Sequence, residues 1–79
     1  MWQRLRLTLS LEEGALLRAL SLTERRGYGI RDLHVTKLDK ERCLQVCLSV
    51  AIGTRSTEQL AQQLAKQIDV LEIEPLAED

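Results

Sequence analysis

Leu5, Leu7 and Leu9 alternate with Arg4, Arg6 and Thr8, a period of two that predicts a strand over about residues 4–9. From Ala15 the spacing turns helical. Ala15, Leu16, Ala19, Leu20 and Thr23 form one stripe flanked by Leu22, with Arg18, Ser21 and Arg25 opposite. Ser10, with Glu13 three residues on, reads as a capping box at the start of this helix. The helix is expected to reach Arg26, and Gly27 to supply a left-handed cap. A second strand is expected over about 30–37, with Leu33 and Val35 inward and Asp32, His34 and Thr36 outward. A polar turn containing Asp39 and Lys40 follows. Leu44, Val46, Leu48, Val50 and Ile52 then alternate with Cys43, Gln45, Cys47, Ser49 and Ala51, the clearest strand in the chain, closed by Gly53.

Ser56 and Gln59 predict a second cap, followed by a helix whose inner stripe is Leu60, Leu64 and Ile68 with Ala61 and Ala65 beside it. A last strand over about 70–74 should bury Leu71 and Ile73, and Pro75 suits the end of an edge strand. The order βαββαβ is the split βαβ, or ferredoxin-like, layout of the α+β class: a four-stranded antiparallel sheet with two helices on one face. Right-handed crossovers put strands one and three in the centre and two and four at the edges. One domain over residues 4–76 is expected, with residues 1–3 and 77–79 frayed.

Such a domain leaves one sheet face open, carrying Arg4, Arg6, Thr8, Asp32, His34, Cys43, Gln45, Cys47 and Glu72. That face reads equally as a solvated surface or as one that meets a partner subunit. Eleven basic residues against twelve acidic ones give a net charge of −1, with no electrostatic pull toward nucleic acid or an anionic membrane. RNA binding on this layout needs stacking aromatics on the central strands. The chain has no Phe, and its one Trp and one Tyr are expected outside those strands. No apolar run approaches the ~20 residues of a membrane span, so a cytoplasmic location is expected. Cys43 and Cys47 on one strand face would lie about 13 Å apart, too far for a disulfide. With His34 the only histidine, a metal site lacks ligands, and neither a nucleophile nor a phosphate loop is tied to it by spacing. Catalysis from this chain is not expected. The turn Glu12-Glu13-Gly14 before the first helix offers backbone amides and a dipole that favour a carboxylate.

Three segments carry a resemblance: Glu13-Gly14-Ala15-Leu16 followed by Arg18, Arg26-Gly27-Tyr28-Gly29-Ile30, and Lys66-Gln67-Ile68-Asp69-Val70. In this order and spacing the chain resembles an ACT domain, and more closely the small regulatory subunit of acetohydroxyacid synthase (acetolactate synthase). The resemblance implies a noncatalytic subunit with no cofactor of its own. Its implied partner is the catalytic large subunit, which uses thiamine diphosphate, FAD and magnesium to join pyruvate to a second 2-oxo acid for branched-chain amino-acid synthesis. It also implies a homodimer through sheet edges and an amino-acid effector bound between paired domains. On this chain the effector residues, acting mainly through the backbone, would be Glu12, Glu13, Gly14, Ala15, Tyr28, Gly29 and Ile30. The family's effector-contacting asparagines fall on Leu11 and Gly29, which offer no side-chain hydrogen bond. That departure and the short chain resemble the valine-insensitive isozyme II subunit. A stand-alone amino-acid sensor acting at a dimer interface is the alternative.

Overall fold

The computed structural model describes residues 2–38, 42–51 and 56–76. The elements run β1 (Trp2–Ser10), α1 (Ala15–Arg25), β2 (Ile30–Leu38), β3 (Cys43–Ala51), α2 (Thr57–Ala65) and β4 (Val70–Pro75). The four strands form one antiparallel sheet in the order β2-β3-β1-β4, so the two leucine- and valine-rich strands are central as expected. Leu5, Leu7 and Leu9 of β1 face the same side as Leu48 and Val46 of β3. They form one buried cluster with Ala19 and Leu22 of α1 and Leu60 and Leu64 of α2. Fully burying a leucine is worth about 1.5–3 kcal/mol, so this one-sided cluster is the main force holding both helices on the sheet.

Helix ends are fixed by local chemistry. Gly27 at φ 88 closes α1: its N–H donates to the Glu24 carbonyl at 3.0 Å and the Tyr28 N–H to the Thr23 carbonyl at 3.2 Å, the Schellman pattern. Ser56 caps α2, its hydroxyl accepting from the Gln59 amide at 3.2 Å. The expected Ser10 capping box does not form. Ser10 is the last residue of β1, its N–H spent on the Asp69 carbonyl, and α1 starts four residues later at Gly14, φ 80, with no side-chain cap.

Four further expectations change. Trp2 and Gln3 are not frayed and Trp2 is not outside β1: they begin that strand, and Gln3 is buried with its amide donating to the Leu76 carbonyl at 2.6 Å. Ile68 is not on the inner stripe of α2, because the helix stops at Ala65 and leaves Ile68 93% exposed. Leu71 is 54% exposed because β4 bulges there. Glu72 pairs with Thr8 and Val70 with Leu9, leaving Leu71 the unpaired extra residue and Val70 on the inner face. Leu33 and Val35 do share the helix-side face with Leu48 and Val46, yet stay 46% and 39% exposed, since α1 does not reach over the β2 edge. The expected turn at Asp39 and Lys40, the strand end at Ile52 and Gly53, and the fraying of residues 77–79 lie outside the described residues.

Candidate functional site

The turn from β1 into α1 is built around Gly14. Its positive φ belongs to glycine, and a Cβ there would sit 2.8 Å from an Arg18 guanidinium nitrogen. The missing side chain is what lets Arg18 reach across. Its Nε donates to Asp69 Oδ2 at 2.8 Å and its second terminal nitrogen to the same oxygen, closing an ion pair between α1 and the turn before β4. Asp69 is buried, Gln67 donates from Nε2 to the Arg18 carbonyl at 3.3 Å, and Ser10 N–H meets the Asp69 carbonyl at 2.8 Å. Sequence patterning did not reveal this clasp, because its partners are 51 residues apart.

Glu12, Glu13 and Gly14 are exposed, while Ala15 is buried against the core. The turn uses two of its own amides: Glu12 N–H donates to Ser10 at 2.8 Å and Ala15 N–H to Glu12 at 3.1 Å. Tyr28 is buried, its hydroxyl donating to the Ser56 carbonyl at 2.6 Å, so its ring ties β2 to the start of α2 and leaves only its backbone for a ligand. Gly29 is exposed. Its carbonyl accepts from Ala51 at 2.8 Å, and a Cβ there would meet only Ala51 at 3.9 Å. Nothing in the backbone demands glycine at that position.

One chain does not bring these two groups together. Ser10 pairs with Cys43 at one end of the sheet, whereas Ile30 pairs with Val50 at the other. The β1–α1 turn and the start of β2 are therefore separated by most of the length of a strand, roughly 25 Å at ~3.3 Å per residue. A second copy pairing antiparallel along β2 would set the turn of one chain at the end of the sheet where Tyr28–Ile30 of the other lies. The β2 edge is suited to this. It is nine residues long, unpaired on its outer side among the described residues, and presents Leu33 and Val35.

The opposite sheet face carries the polar residues expected of it, with Cys43 buried among them. Arg6 is ion-paired with Glu74, and the Arg31 guanidinium lies 4.5 Å over the Trp2 ring. Cys47 is a free thiol, and no group of three or more metal-ligating side chains occurs among the described residues. No helix there is long and apolar enough to cross a membrane.

A sequence profile described as ACT domain matches residues 12–73. The chain is 33% identical over 70 residues to the acetolactate synthase isozyme 3 small subunit of Escherichia coli (strain K12), covering 89% of this chain and 43% of that protein. It is 34% identical over 65 residues to the acetolactate synthase small subunit of Buchnera aphidicola subsp. Schizaphis graminum, covering 82% and 41%. It thus spans less than half the length of the curated relatives it matches. Among solved structures, the acetolactate synthase small subunit from Thermotoga maritima superposes with a TM-score of 0.86 at 18% identity, over 98% of this chain and 48% of that one. The ACT domain of GTP pyrophosphokinase from Chlorobium tepidum gives 0.79 at 17% identity, over 96% and 97%. At such identities the structural likeness concerns the fold.

Proposed function

The chain belongs to the ACT domain family, and from that premise we propose that it is a noncatalytic regulatory subunit of acetolactate synthase that binds and activates the catalytic large subunit. The observation that carries this reading is the identity to acetolactate synthase small subunits along 89% of the chain. The structure supports it with an edge and a face suited to partners. Activation works by differential binding: the subunit favours the competent conformation of the large one and raises its population. The thiamine diphosphate, FAD and magnesium belong to that partner, and the setting is the cytoplasm.

The effector site of this reading forms only in a dimer paired along β2, from Glu12–Ala15 of one chain and Tyr28–Ile30 of the other. At Leu11 and Gly29 the polar side chains of effector-responsive relatives are missing. Each lost partner costs roughly 1–3 kcal/mol, or about 5- to 150-fold in affinity, so valine control is weak or absent, as in an isozyme II-type subunit. The space beside Gly29 accepts a side chain, with Ala51 the nearest contact at 3.9 Å. The variant L11N/G29N is therefore expected to gain valine binding by calorimetry. Co-purification with the large subunit, together with a rise in acetolactate formation, tests the main reading. Micromolar binding of an amino acid by the unmodified chain, without any complex, would favour a stand-alone sensor instead.

A further inference from the structure

The nine residues of β2 have His34 at their midpoint, with Leu33 and Val35 on either side. Leu33 and Val35 oppose Leu48 and Val46 on the helix side, while His34 opposes Cys47 on the open face. A second copy that continues the sheet along β2, with both helix layers on one side, is related by a twofold normal to the sheet. Directly opposed residues then point to the same face, so the axis passes through a residue position. With the axis at Leu33, Val35 opposes the bulged Arg31. With it at Val35, Leu33 opposes Lys37. With it at His34, the whole strand is spanned and a Leu33 opposes a Val35 on both sides of the axis, so the half-exposed apolar side chains cover each other. That register sets His34 directly opposite the second copy's His34.

We propose, on the premise of the β2 dimer above, that these paired imidazoles make association pH-sensitive, weakening the dimer as they protonate. Imidazole changes charge between about pH 8 and 5. Within one chain His34 shares its face with Asp32 on its own strand, Cys47 opposite it and Arg4 across the same trough, with Arg6 beyond Cys47. Those neighbours are the same in monomer and dimer, so their effects cancel. Pairing adds the second His34 directly opposite and the second Asp32 on the diagonal. Asp32 already serves Arg31 Nε at 3.1 Å, so the directly opposed like charges prevail. The dimer then holds fewer protons than two monomers, and a falling pH favours the monomers. Two unit charges about 5 Å apart in a largely aqueous setting repel by about fivefold in affinity, and salt screens the effect.

Sedimentation of the full chain at low ionic strength, at about pH 8 and about pH 5.5, tests it. The dimer dissociation constant is expected to rise at least about fivefold at the lower pH, and His34→Gln to abolish the rise while staying dimeric at both. The register is read separately on a Cys47→Ser background. There His34→Cys should oxidise to a covalent dimer, since directly opposed Cα atoms lie about 4.5–5.5 Å apart, whereas Thr36→Cys, roughly 13 Å from its counterpart, should not. A dimer with no pH response, a response that His34→Gln keeps, or cross-linking through Thr36→Cys but not His34→Cys overturns the inference and leaves a β2 dimer standing. A monomer at both pH values at ~100 μM, or a dimer that Leu33→Lys with Val35→Lys fails to disrupt, overturns the dimer and the inference together.

Discussion

The clasp between Arg18 and Asp69 makes the most exacting test of the fold at its functional end. Arg18→Met keeps the aliphatic stem and removes both nitrogens from Asp69 Oδ2. The Asp69 side chain is 8% exposed, so its charge is left with little water, whereas Arg18 is 50% exposed. A fully buried pair broken on one side costs about 3–5 kcal/mol. Hydrogen bonds to charged groups contribute about 1.5–3 kcal/mol. Because half of Arg18 already sees solvent, the lower range applies, and about 2 kcal/mol is expected. In a domain of this size that lowers Tm by roughly 8–16 °C. Asp69→Asn should cost less, since the charge it leaves behind is the solvated one. The backbone bond from Ser10 N–H to the Asp69 carbonyl and the Gln67 bond to the Arg18 carbonyl survive both changes, so the cycle isolates the side-chain pair. Urea unfolding of the two single variants and R18M/D69N should give a coupling above about 1 kcal/mol. Additivity within about 0.5 kcal/mol would refute the reasoning.

Three further outcomes are expected. Gly14→Ala should lower stability by at least about 1 kcal/mol, from the positive φ and from the approach to Arg18, and R18M should relieve part of that cost; an unchanged melting curve would contradict the turn geometry. Gly27→Val should also cost about 1 kcal/mol or more, read as Tm, since the Schellman turn holds this residue at φ 88. Leu33→Lys with Val35→Lys should shift a dimer to monomer in sedimentation at ~100 μM while circular dichroism stays the same, and a dimer that persists would exclude pairing along β2.

Alternation in β1 and β3 was enough to place the central strands, because both bury one full face and a slip there would expose every leucine. Edges obey weaker rules. A one-residue bulge at Arg31 in β2 and another at Leu71 in β4 reset the alternation, and no local signal marks either. Ile68 continues the four-residue period of Leu60 and Leu64, so periodicity alone assigns it to the helix. The turn bond from Gln67 N–H to Leu64 at 3.0 Å shows the chain leaving it. Ser10 and Glu13 have the spacing of a capping box, but the strand keeps Ser10 for its own ladder and for Asp69. The turn at Gly14 and the start of β2 were legible as segments. Their separation to opposite ends of the sheet was not, since it follows from how the strands are ordered.

Acetolactate formation by the catalytic large subunit, measured with and without this chain and paired with co-purification of the two, tests the central claim most directly. A stable complex with a higher rate, unaffected by valine, is the expected result. No complex and an unchanged rate would contradict it.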